Sequence, residues 1–147
     1  MKKYEIINAI DSAKSAHEQQ MDNAKALLKE GDLERMTAVE KSNCQFITWL
    51  HGSNFDVKKV LGEQFFIRLD MDQDEWHRDY RELYAVFSNK HQQSFFSKIF
   101  KKDELTPIEV KMAEFYHERL KTASNKLLNA IDSAKRRVYA MPESRFA

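Results

Sequence analysis

From Thr106 to Val138 the chain carries one unbroken helical stripe, Ile108, Met112, Phe115, Ala123, Leu127, Ile131, Ala134 and Val138, and this run restricts the fold more than any other feature. Thr106 stands as an N-cap, Pro107 at the first turn and Glu109 at the third position, a start signal in which side chain and backbone satisfy each other. At 1.5 Å per residue the helix runs for roughly 50 Å. It is long enough to span a whole bundle.

The rest of the chain has little with which to build anything else. Three glycines and two prolines in 147 residues leave few turns or sheet edges, and abundant Lys, Glu, Ala, Leu and Met favour helix almost throughout. Ile6, Ile10, Ala13, Met21, Ala24 and Leu28 mark a first helix over 3–30, with His17 in the same stripe. Gly31 suits its C-terminus and Asp32 the next N-cap, turning the chain into a second, antiparallel helix over 33–51. Asp56 starts a short helix over 56–69 that closes one end. Asp72 and Glu75 resemble a capping box at the head of a helix over 73–100, on which His77, Tyr80, Tyr84, Phe87 and His91 share a face. With the last helix over 107–140, the expectation is one all-α domain covering 1–147, an antiparallel four-helix bundle with a short additional helix.

Charge and motifs narrow the function. Twenty-four basic against 23 acidic residues give a net charge of +1, so nothing global draws the chain to nucleic acid or anionic lipid. The basic runs Lys98, Lys101, Lys102 and Lys135, Arg136, Arg137 fall near helix ends, where they complement the dipole. One cysteine cannot form an internal disulfide, no apolar run approaches the ~20 residues of a membrane span, and no signal core opens the chain. A cytoplasmic protein is expected. No phosphate loop, nucleophile elbow or His-Glu-x-x-His pair is present, and an enzyme is not expected. The heptapeptide Asn8–Lys14 recurs identically at Asn129–Lys135, near the start of the first helix and the end of the last, so the copies meet at one end of an antiparallel pair.

Three residues carry chemistry: His17, Cys44 and His77, one from each of three helices, on or beside apolar faces. Thiolate and imidazole are zinc ligands, and a site closed by several helices draws one or two from each. The same residue types also occur as ordinary buried packing. The order of His17, then Cys44 with Phe46, Trp49, Leu50 and Gly52, then His77 early in a later helix resembles the chemoreceptor zinc-binding (CZB) domain family over roughly residues 17–87. That resemblance implies a bacterial helical bundle in which histidines and a cysteine hold Zn2+, and zinc occupancy or oxidation of the thiol regulates a chemoreceptor or a diguanylate cyclase. Two positions depart from it. Ile47 stands where the family has glycine, and Arg81 stands where it has the second histidine of a His-x-x-x-His pair.

Arginine stays protonated and cannot ligate zinc. The fourth position then falls to water, to Asp74 three residues before His77, or to Glu40 one turn before Cys44. Arg81 also leaves a metal-free alternative, in which its charge favours a Cys44 thiolate that senses oxidants. Family members typically carry an output domain on the same chain. This chain ends soon after its last helix, so it is expected to act in trans on a signalling partner, as a homodimer whose helices transmit the change. The competing expectation is a metal-free adaptor bundle that binds another protein through its long last helix and an aromatic cluster around Phe95, Phe96 and Phe100.

Overall fold

A computed structural model of the chain describes residues 2–31, 45–52, 57–96 and 105–146, with 45–46 and 90–96 given as backbone alone. The elements among them are all helical: α1 (Lys3–Glu30), α2 (Gln45–His51), α3 (Val57–Leu61), α4 (Glu63–Phe96) and α5 (Pro107–Ala140), then a single 3-10 turn at Glu143–Arg145. No helix among the described residues is long and apolar enough to cross a membrane.

The ends of α1 and α5 follow from local chemistry. Thr106 Oγ1 accepts from the Glu109 N–H at 3.2 Å while Glu109 Oε1 accepts from the Thr106 N–H at 2.9 Å, so two otherwise orphaned donors are satisfied. α1 stops at Gly31, whose φ of +70° is left-handed and whose N–H donates to Leu27 O at 2.8 Å. The break expected between residues 69 and 73 is absent. α4 runs without interruption from Glu63, and the chain instead turns at Gly62, with φ +97°. Asp72 and Glu75 are therefore not a capping box: both lie inside the helix, where Asp72 faces Arg68 at 3.9 Å. The pattern of a helix start was present without the backbone break that would leave its amides to be capped. Asp32 and Asp56, read as N-caps, and residues 33–44 of the second helix lie outside the described residues.

Three long helices form the frame. Lys3 Nζ donates to the carbonyls of Tyr139 and Met141, Asp11 pairs with Lys135 and Lys14 with Asp132, so α1 and α5 run antiparallel. Glu75 with Lys126 and Asp79 with Arg119 place α4 antiparallel to α5 as well. The apolar core is in two parts. One gathers Ile6, Ile10 and Ala13 of α1, Leu50, Leu61 and Leu69, and Leu127, Ile131, Ala134 and Val138 of α5. The other gathers Ala24 and Leu27, Trp76, Tyr80, Leu83 and Phe87, and Ala113, Leu120 and Ala123.

At the start of α5 the inward face differs from the expected stripe. Ile108, Met112 and Phe115 are exposed at 73%, 44% and 55%, and Ala113, His117 and Leu120 turn inward in their place. Apolar spacing defines a stripe on a helix but not which of two neighbouring stripes its partners cover. Alanine at 113 turns inward with Leu120, and both are fully buried.

The repeated heptapeptide pairs with itself. Asp11 of the first copy bonds Lys135 of the second at 2.7 Å, and Lys14 of the first bonds Asp132 of the second at 3.0 Å. Equivalent positions exchange partners, which gives this end of the α1/α5 pair a local two-fold relation. Ile10 and Ala13 lie buried with their equivalents Ile131 and Ala134 in the same cluster. Asp11→Lys, set against Lys135, is expected to lower stability in urea denaturation, and adding Lys135→Asp to restore it. For Lys14 and Asp132, each more than a third exposed, a double-mutant cycle should give a coupling of about 0.5 kcal/mol that fades in molar salt. Gly62→Ala should cost about 1–2 kcal/mol, because nothing crowds the added Cβ but the backbone at φ +97° is strained for any L side chain.

Candidate functional site

The two apolar clusters are separated on every long helix by polar residues. α1 passes from Ala13 to Ala24 through His17 and Gln20, α4 from Leu69 to Trp76 through Gln73, and α5 from Ala123 to Leu127 through Ser124. His77 follows directly on α4. All five polar side chains are buried: His17 and Gln73 at 0% exposure, His77 at 1%, Ser124 at 3% and Gln20 at 7%. Buried polar groups are costly unless they are bonded, so a layer of this kind points to a specific arrangement.

His17 is at its centre. Its Nε2 and Ser124 Oγ lie 2.8 Å apart across the α1/α5 interface. Its Nδ1 is buried and has no hydrogen-bond partner among the described residues. Trp76 walls both imidazoles, with its ring 4.7 Å from that of His17 and 5.0 Å from that of His77, each contact edge-on. Trp76 is held in turn by stacking on Tyr80 at 4.5 Å and by its Nε1–H, which donates to Met21 Sδ at 3.3 Å. Burial pushes the His17 imidazolium down to about pKa 4, and the like charge of His77 adds to the shift. His17 is therefore neutral at pH 7, the form in which an imidazole binds a metal.

On one side this layer approaches solvent. A groove of about 360 Å³ between α1 and α5, bounded by Glu18, Asp22, Lys121 and Asn125, has Ser124 in its wall. Solvent thus comes within one hydrogen bond of His17.

Of the residues singled out from the sequence, His17 and His77 are brought inside the bundle on different helices, close enough for their charges to interact. Cys44, Glu40 and the side chain of Phe46 lie outside the described residues. Trp49 packs half-buried against the first apolar cluster, and Gly52 follows α2 directly. Asp74 does not share the inward face of His77: it is exposed. The buried face of α4 steps back from His77 by four residues to Gln73, and a three-residue step rotates outward to Asp74. Arg81 is also exposed. His51 is exposed at the end of α2 and meets Asp70 at 3.0 Å, and His117 lies at the core edge, 9% exposed. Among the described residues no group of three or more His, Cys, Asp or Glu is gathered to hold a metal ion.

Comparisons with protein-family models, with curated proteins and with solved structures gave no match.

Sequence reasoning passed over Gln20, Gln73, Ser124 and Asp79. The signal was there for three of them, since Leu120, Ser124 and Leu127 share one spacing, Gln20 follows His17 by one turn and Gln73 precedes His77 by one turn. Asp79 is 2% exposed and paired with Arg119 at 3.2 Å, a contact that depends on the α4/α5 packing.

Folding weakens the hold of His17 on a proton. Between pH 6.5 and 4 the unfolded chain takes up a proton at residue 17 that the folded chain refuses, so stability falls as pH falls through this window. The loss reaches about 3 kcal/mol near pH 4. Urea denaturation of metal-free protein at pH 7 and pH 4.5 should show a larger acid loss for the native chain than for His17→Gln. Equal losses would mean that His17 takes no part in acid sensitivity.

Proposed function

We propose that this protein is a small metal-responsive regulatory module: His17, Cys44 and His77 hold Zn2+ within a four-helix-type bundle, and occupancy of the site alters helix packing. The observation that carries this reading is the pair of buried imidazoles from α1 and α4, with His17 neutral and its Nδ1 unpartnered among the described residues. An unused lone pair in a dry interior is destabilising by itself and suits a borderline divalent cation. A bound zinc would add a metal cross-link to the packing and hydrogen bonds that already join these helices. Cys44 enters by its chemistry and by the CZB resemblance, which also points to a chemoreceptor or diguanylate cyclase type of protein as what is regulated; we take that output to lie on a partner, with the module a cytoplasmic homodimer. Water or Glu40 completes the set. Asp74, on the outer face of α4, does not.

Elemental mass spectrometry on tag-free protein purified without chelator tests this reading. About one zinc per chain is expected in the native protein, and little in Cys44→Ala or His17→Ala. A chelator should lower the melting temperature, because a ligand that binds only the folded state stabilises it by mass action. No metal after zinc challenge, in a chain that stays folded, would overturn it.

A second reading rests on a different observation. Ile108, Met112 and Phe115 present an apolar stripe to solvent along the first turns of α5, as an adaptor that docks another protein would. Under that reading chelators leave the melting temperature unchanged, and Met112→Lys abolishes partner capture without unfolding the chain.

A further inference from the structure

We infer that Ser124 is the positioning residue of the metal centre: it fixes His17 in the tautomer with Nε2 protonated, so that Nδ1 is the nitrogen that takes the metal. This rests on the metal-centre proposal above and adds to it a residue from α5, the long helix that contributes none of the expected ligands.

The inference follows from where each atom of His17 goes. A neutral imidazole has one N–H and one lone pair. Nε2 is committed to Ser124 Oγ at 2.8 Å, and Nδ1 is buried without a partner among the described residues. If the proton were on Nδ1, the interior would hold an orphaned N–H, and buried donors are rarely left unpaired. With the proton on Nε2, the N–H donates to the serine oxygen and the orphan is a lone pair. A lone pair without a proton partner is what a metal ion requires. Ser124 stands in the wall of the groove between α1 and α5, so its hydroxyl proton can turn toward solvent and leave the oxygen free to accept from Nε2. The arrangement is that of histidine ligands generally, which donate the second ring N–H to an outer partner that sets tautomer and orientation.

The surroundings hold the ring in this pose. Ser124 is 3% exposed and His17 is fully buried, so water does not compete for Nε2. The Trp76 ring, edge-on at 4.7 Å, limits rotation of the imidazole about its own axis. No other residue on α5 can take the place of Ser124. Ala123 and Leu127, its neighbours in the buried face, carry no polar atom.

The test is NMR on full-length protein with 15N-labelled histidine, together with zinc titration. Metal-free native protein at pH 7 should show His17 with a protonated Nε2 and a pyridine-type Nδ1, and added zinc should shift the Nδ1 signal. Ser124→Ala should mix the tautomers and weaken zinc binding by about 10- to 100-fold. Ser124→Thr, which keeps the hydroxyl, should stay near the native values. A protonated Nδ1 in the native protein, or zinc on Nε2, would overturn the inference and leave the metal centre standing. Native tautomer and affinity in Ser124→Ala would overturn the role of Ser124. The absence of zinc uptake by the native chain would sink the metal centre, and the ligand assignment with it.

Discussion

The hydrogen bond between His17 and Ser124 crosses the α1/α5 interface at the level where the apolar core is interrupted, and the packing of the long helices depends on it. Sliding α5 by one turn would bring Leu120 or Leu127 against His17 Nε2 and leave the imidazole with no partner on either nitrogen. An unbonded buried donor costs about 1–3 kcal/mol, whereas a shift between two leucine-rich stripes would otherwise cost little. A polar layer inside a helical core thus selects one register where apolar packing alone would tolerate several.

The heptapeptide pairing acts on the same interface from its end. Asp11 with Lys135 and Lys14 with Asp132 are partly exposed ion pairs, weak singly, but their reciprocal geometry is satisfied only when α1 and α5 are antiparallel and in step. The buried pair and the surface pairs therefore agree on one alignment. The α4 helix is then set against α5 by Asp79 and Arg119 and against α1 by the Trp76 contacts, so that His17 and His77 reach the same layer from parallel helices. Agreement among independent local devices is what gives a bundle a single arrangement.

Much of this is legible in the sequence. The helix over 107–140 was bounded by its capping box, the first helix ended at Gly31 as expected, and the meeting of the two heptapeptides followed from antiparallel order. The inward placement of His17 and His77 followed from helical spacing. The start of α4 was misjudged because Asp72 and Glu75 imitate a cap, and a capping sequence acts only where the backbone leaves amides unbonded. The Ile108, Met112 and Phe115 stripe was misjudged because it lies beside the stripe that α4 and α1 cover. Asp74 was misplaced by the same kind of error, a rotation of one position around a helix.

What the sequence determined by itself was the helical class and where α1 and α5 begin and end, because capping, helix propensity and apolar spacing act within a few residues of one another. Only the tertiary structure decided which face of α5 is covered, that Gln20, Gln73 and Ser124 join the two histidines in one buried layer, and which nitrogen of His17 is spent on a protein partner. Those outcomes depend on groups more than 50 residues apart in the chain, and their energies arise only once water has been excluded from between the helices.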